Sequence, residues 1–212
     1  MTVKIPKIVK KVYPNRIWDA SEEDKAIYLT FDDGPIPEVT PWVLEQLRSF
    51  GAKASFFCIG ENVEKHPEIF RSLYSEGHTI GNHTYNHLNG WKTTSEEYLQ
   101  NTLKAREVIT KNFPPGIPSK NAFFRPPYGR IKQKQARKIE ELGYQIVMWD
   151  IISKDYDAAV SIEECYENVV GNARPGSIIV FHDSIKAKKN LTEVLPKILE
   201  AFSRENYSFK AL

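Results

Sequence analysis

The chain is expected to be an α/β protein, folded as a distorted (β/α) barrel with about seven parallel strands. Three observations lead to this. Short apolar runs alternate with segments of helical length over most of the 212 residues. The runs are nearly continuous in apolar character, as strands are when helices cover both of their faces. Polar clusters follow the runs directly, at 32–33, 83–87, 125–129, 155 and 182–183. Parallel α/β folds place their chemistry just beyond the carboxyl ends of strands. A doubly wound open sheet fits the same periodicity; the number of strand–helix units favours the barrel.

The elements follow in order. Residues 27–31 (Ile-Tyr-Leu-Thr-Phe) form a β-rich run, stopped by Asp32-Asp33-Gly34-Pro35. Thr40-Pro41 opens a helix to Phe50, with Val43, Leu44, Leu47 and Phe50 on one face. Residues 54–59 are the next strand. Pro67 starts a helix to Ser75, and 78–81 are a short strand. The clearest long helix runs from Ser95 to Lys111; 113–120, with three prolines and a glycine, is a loop. Residues 122–124 and 145–149 are strands around a helix at 131–142. A helix at 162–172, a strand at 178–181, a helix at 191–202 and a last strand within 207–212 complete the chain. No linker or repeat appears. One domain is expected over 27–212, with residues 1–26 as an extension packed on it.

Composition excludes several classes. Hydrophobic residues are 41% and charged residues 26%, an ordinary globular balance, and the net charge is only +2. No basic tract is interleaved with aromatics, so no nucleic-acid partner is expected. Lys186, Lys188 and Lys189 read as a solvated loop. Two cysteines, Cys58 and Cys165, make neither a disulfide framework nor a thiolate site. The N-terminus is basic, but no apolar segment of signal-peptide or membrane-spanning length follows. The sequence as it stands therefore predicts a cytoplasmic address without membrane insertion, or an extracytoplasmic one if a leader has been removed. No protein partner is predicted.

The polar clusters suggest a metal hydrolase. Asp32 and Asp33 are adjacent carboxylates at a strand end, costly unless a positive charge lies beside them. His83 and His87 are four residues apart, so on a helical turn they would share a face. Two histidines and one carboxylate with a water form a catalytic zinc arrangement, and equally the non-haem iron triad. With Asp33 as ligand, Asp32 is left as a general base. His182-Asp183 reads either as a strand-end cap or as a general acid, for which Asp155 is the candidate anionic partner. Arg125 could bridge carboxylates, and Pro126-Pro127 would stiffen the chain so that the Tyr128 backbone N–H faces a developing oxyanion.

Taken together, the pattern resembles the NodB-homology polysaccharide deacetylases, the fourth family of carbohydrate esterases. Thr30-Phe31-Asp32-Asp33-Gly34-Pro35 matches the first family motif, His83-Thr84-Tyr85-Asn86-His87 the second and Arg125-Pro126-Pro127-Tyr128-Gly129 the third. Val180-Phe181-His182 matches the fifth. The resemblance implies Asp32 as base, Asp33, His83 and His87 as ligands of one divalent metal (zinc, with cobalt or another first-row ion possible) and His182 as acid. Arg125 and Asp155 would support them, and the Tyr128 amide would serve the oxyanion.

The fourth motif departs from the family. Trp149 and Asp155 align, but Ile152 replaces an aspartate and Tyr156 a tryptophan; Val180 replaces the usual leucine of the fifth. Pro127, Tyr128, Trp149, Tyr156 and Val180 are therefore the substrate-pocket candidates. The implied reaction is removal of acetyl from an N-acetylglucosamine polymer or oligomer of peptidoglycan or chitin type. An O-acetyl xylan esterase, or an inactive carbohydrate-binding domain on the same scaffold, is the alternative. Trp91, Tyr85, Tyr128 and Tyr156 are candidates for stacking on sugar rings.

Overall fold

The computed structural model describes residues 2–22, 25–113 and 122–212; most of the expected 113–120 loop lies outside these. Among the described residues, eight strands form one sheet: β1 (Ala26–Asp32), β2 (Ser55–Cys58), β3 (Thr79–Asn82), β4 (Ala122–Phe124), β5 (Tyr144–Ile146), β6 (Ile151–Ile152), β7 (Ile178–His182) and β8 (Ser208–Phe209). The order is β5-β4-β3-β2-β1-β7-β6, parallel at each step, with β8 pairing the start of β1. The curled sheet is a half-barrel: β5 and β6 stand at its two ends.

The helices are α1 (Lys7–Val12), α2 (Thr40–Ser49), α3 (Gly60–Lys65), α4 (Pro67–Ser75), α5 (Ser95–Asn112), α6 (Gln133–Glu141), α7 (Ile162–Val170) and α8 (Lys188–Arg204). Local chemistry explains their starts. Thr94 caps α5 and Ser161 caps α7, each in a reciprocal box with a glutamate three residues on. Two helices were not expected. α3 carries little apolar periodicity, and α1 lies in a stretch without a pattern. The expected 145–149 strand ends at Ile146, and the chain crosses without a helix to the two-residue β6. None of the described helices is long and apolar enough to cross a membrane.

Period-two alternation sorts the strands onto two faces. Ile27, Leu29 and Phe31 of β1, Phe56 and Cys58 of β2, and Ile179 and Phe181 of β7 join one buried cluster with α2, α4 and α8. Phe57, Ile178 and Val180 join a second, with Trp149 and Ile152. Thr30 and Asp32 of β1 therefore share the face of Val180 and His182 of β7, and the register pairs Thr30 with Val180 and Asp32 with His182. The sheet thus carries its polar residues to the carboxyl end of its concave face.

The two sheet ends are covered by the N-terminal segment. Ile17 donates to Ile146 O (2.9 Å) and accepts from Met148 N (2.7 Å), while Ile5 donates to Asp150 O (2.8 Å) and Val3 O accepts from Ile152 N (2.9 Å). Buried Asp150 accepts from Lys10 Nζ (2.6 Å) and Ser177 Oγ (2.8 Å), with Lys4 Nζ 3.2 Å away. Strand edges that would otherwise offer open hydrogen-bonding groups are occupied.

Candidate active site

The loops after β1, β3, β4 and β7, with the β6 region, meet around one cleft of about 490 Å³. Asp32, Asp33, His83, His87, Tyr128, Trp149, Tyr156, Val180 and His182 line it, together with Arg130, Ile152, Ser184 and Lys186. Pro127 is buried and is not among the lining residues.

Asp33, His83 and His87 each present one donor atom, and these atoms lie within 4.8 Å of one another. Asp33 Oδ1 is 3.8 Å from His83 Nε2 and 3.2 Å from His87 Nε2. The histidines do not lie on a helical turn, as their spacing suggested. The chain after β3 is an irregular loop, with Thr84 at φ 65° and His87 at φ 59°. Left-handed backbone at non-glycine residues is costly and is held here by its surroundings: Asn82 Oδ1 accepts from Thr84 N (2.8 Å), and Thr84 Oγ1 accepts from Leu88 N (3.0 Å).

Outer contacts orient both rings. His83 Nδ1 is 2.7 Å from the Arg125 carbonyl, which can only accept, so Nδ1 carries the proton and Nε2 turns a lone pair toward Asp33. His87 Nδ1 is 3.1 Å from the Tyr128 hydroxyl. Burial lowers the pKa of His83, and it brings His87 down to about 4, with neighbouring His83 adding to the effect. Neutral imidazoles are what a metal requires. Asp33 Oδ1 is buried without a hydrogen-bond partner, a loss that a bound cation would offset. The three residues fit a divalent cation.

Asp32 is buried beside this group. Its Oδ1 accepts from Arg125 Nη1 at 2.7 Å. Burial pushes its carboxyl pKa up, but Arg125, then His83 and His182, outweigh this and hold it below the usual range. Arg125 is itself fully buried; Nη1 also reaches Thr30 Oγ1 (2.7 Å), Nη2 donates to Met148 O (2.8 Å), and its guanidinium lies 3.9 Å from the Phe57 ring centre. Arg125 thus serves Asp32. Asp155 belongs to His182: its Oδ1 is 2.8 Å from His182 Nδ1 and its Oδ2 accepts from His182 N at 2.7 Å. Burial lowers the His182 pKa, yet the Asp155 carboxylate outweighs it and raises the ring to about 9.

The family is decided by comparison. The family model described as polysaccharide deacetylase matches residues 19–147, more than half of the chain. The chain belongs to the polysaccharide deacetylase family. A peptidoglycan-N-acetylglucosamine deacetylase of Bacillus cereus is 42% identical over 158 residues, which cover 74% of this chain and 56% of that protein. A second from the same organism is 36% identical over 193 residues, covering 91% and 88%. A chitooligosaccharide deacetylase of Azorhizobium caulinodans is 37% identical over 163 residues, covering 77% and 76%. This chain therefore spans little more than half the length of the first of these relatives. A crystal structure of a peptidoglycan N-acetylglucosamine deacetylase in complex with 4-naphthalen-1-yl-N-oxidanyl-benzamide superposes with a TM-score of 0.86 at 33% identity, covering 98% and 95% of the two chains. The donor set by itself fits zinc hydrolases and iron oxygenases equally.

Several residues around the cleft were not read from the sequence as site residues. Ser153 Oγ donates to Asp155 Oδ1 (3.0 Å). Asn62 Nδ2 donates to Asp33 O (2.7 Å), supporting the aspartate at φ 86°. Asp183 accepts from Gly34 N (2.9 Å) and Thr40 Oγ1 (2.6 Å), buttressing the turn that carries Asp33; burial pushes its pKa up to about 8. A Cβ on Gly34 would lie 1.9 Å from Asp183 Oδ2. Gly34→Ala is expected to lower stability by about 1–3 kcal/mol, read from the urea midpoint, and to weaken metal binding in a competition titration. Unchanged values for both would show that the turn absorbs the methyl freely.

Proposed function

We propose that the chain is a metal-dependent deacetylase, acting on N-acetylglucosamine-containing glycans of peptidoglycan or chitin type and releasing acetate. One observation carries this. The Asp33–His83–His87 donors, the Asp32–Arg125 pair and the Asp155–His182 pair converge on one cleft. The substrate class is supported by the names of the relatives. Zinc is the preferred ion for two imidazoles and a carboxylate in a hydrolytic site.

When bound by Asp33, His83 and His87, a divalent ion supplies Lewis acidity toward the acetyl oxygen and a water. Asp32, kept ionised by Arg125, accepts the proton of the attacking water. The Tyr128 N–H faces the developing oxyanion from a left-handed backbone position (φ 60°). His182, held by Asp155, delivers its proton to the leaving nitrogen. Trp149, Ile152 and Val180 are buried apolar lining suited to the acetyl methyl.

The test is acetate release from N-acetylated chito-oligosaccharides, peptidoglycan fragments and O-acetylated xylan. Chelator should abolish release from the N-acetylglucosamine substrates, and zinc or cobalt should restore it. Binding of glycan by the metal-loaded protein without any release would instead identify a silent carbohydrate-binding domain; release from xylan alone would identify an esterase. A pH profile tests the acid. A histidine raised to about 9 is protonated below that value, so kcat should hold through neutrality and decline as pH rises through about 9. Asp155→Asn should move this decline to lower pH. An unmoved alkaline limb would exclude His182 as the titrating acid.

A further inference from the structure

We propose that Ser153 is a positioning residue of the proton-delivering pair, its hydroxyl holding the Asp155 carboxylate against His182. The inference rests on the deacetylase reading, with His182 as the acid, and adds a residue that meets no substrate. Ser153 follows β6 directly, is fully buried and is not among the residues lining the cleft. Its hydroxyl is used twice: it donates to Asp155 Oδ1 (3.0 Å) and accepts from Asp155 N (3.3 Å). These bonds close a small ring across Lys154, whose backbone is left-handed (φ 64°). That conformation is costly for a lysine and persists only where its surroundings hold it. Ser153 is itself anchored on two sides. Its N–H donates to Val180 O of β7 (3.1 Å), and its carbonyl accepts from Asn168 Nδ2 of α7 (3.1 Å). The hydroxyl therefore reaches Asp155 from a fixed origin.

Asp155 Oδ1 is the shared atom. It accepts from Ser153 Oγ and stands 2.8 Å from His182 Nδ1, while Oδ2 accepts from His182 N (2.7 Å). Among the described residues, Ser153 is the one partner of this carboxylate outside His182 itself. Without the hydroxyl, the turn at Lys154 loses its local tie and Oδ1 is free to leave the line of the ring N–H. Other titratable groups face the pair but do not hold it. Asp32 and Asp33 lie across the cleft with His87 and favour the charged ring only through space. Tyr156 packs edge-on, 4.8 Å from the His182 ring, with Lys186 on its face. Asp183 turns away to Gly34 and Thr40. Burial pushes the Cys165 thiol of α7 up to about 12, so it brings no charge.

The experiment is a double-mutant cycle on the zinc-loaded protein, with wild type, Ser153→Ala, Asp155→Asn and the two changes combined. Acetate release from an N-acetylated chito-oligosaccharide gives kcat and KM, and ring-proton NMR gives the pH at which His182 titrates. Ser153→Ala should lower kcat about tenfold, the worth of one hydrogen bond to a charged group, with KM within about twofold of wild type. Its His182 should titrate about one pH unit below that of the wild type. In the Asp155→Asn background the same change should cost less than about twofold, because its route to the ring is already cut. Ser153→Thr keeps the hydroxyl and should leave kcat and the titration near wild type. Three results would each overturn the proposal: a His182 titration unmoved or raised in folded Ser153→Ala, losses that multiply in the combined variant, or a folded Ser153→Thr protein that behaves like Ser153→Ala. If the wild type releases no acetate from any substrate, the deacetylase reading fails separately. The His182 titrations of the same proteins then decide the role of Ser153 by themselves.

Discussion

Replacing Asp32 by asparagine is expected to lower kcat for acetate release by about 10²- to 10⁴-fold. The amide can still accept the hydrogen bond from Arg125 Nη1, now 2.7 Å away, so the side chain can keep its place on β1. It has no basic oxygen to accept a proton from water. The Asp33, His83 and His87 donors are untouched, so metal content measured by atomic absorption should stay at the wild-type level. A melting curve completes the comparison, because Arg125 loses its countercharge in the variant. A folded, metal-loaded Asp32→Asn protein with near wild-type turnover would remove Asp32 from the mechanism.

Arg125→Met should reduce stability by about 3–5 kcal/mol, the usual cost of stripping one partner from a buried charge pair. Arg125 is 0% exposed, so solvent cannot replace it beside Asp32. Its removal also leaves Thr30 Oγ1 and Met148 O without the donors they now have. The Asp32 carboxyl, freed from the guanidinium, would face burial with only His83 and His182 to oppose it and become harder to ionise. Turnover near neutral pH should therefore fall with stability, because Arg125 acts on the reaction through Asp32. Arg125→Lys should recover part of the stability, since an ammonium supplies charge without the planar fork. Urea unfolding of the three proteins measures the order; a loss below about 1 kcal/mol in Arg125→Met would mean that water enters the pair.

The parts legible in the sequence are those fixed by local rules. The run at 27–31 ends in two aspartates, and alternation along β1 puts Asp32 on the face of Thr30 while Asp33 falls in the turn. The order of strands and helices, and so the fold class, followed from apolar periodicity. What escaped depends on long-range placement. His83 and His87 were paired correctly, but by a helical geometry the chain does not adopt; left-handed backbone at Thr84 and His87 brings them together instead. Arg125 was offered several carboxylates, and only the curl of the sheet assigns it to Asp32 and leaves Asp155 to His182. Lys186 looked like part of a solvated run, because nothing local reveals that Tyr156 lies beside it. The N-terminal segment lacks periodicity because it is tied down by edge hydrogen bonds, which any residue except proline can donate, and by scattered contacts such as Lys10 with Asp150 and Trp18 with the core, which follow no repeat.

That N-terminal segment also imposes an order in time. Its docking edges at Ile146, Met148, Asp150 and Ile152 lie some 130 to 150 residues later in the chain, roughly two-thirds of its length. During synthesis the segment emerges well before β5 and β6 and has nowhere to bind until they have left the ribosome. Covering of the sheet ends is therefore a late event made by residues synthesised well before the strands they meet, and Lys4 and Lys10 must wait for the aspartate they pair with.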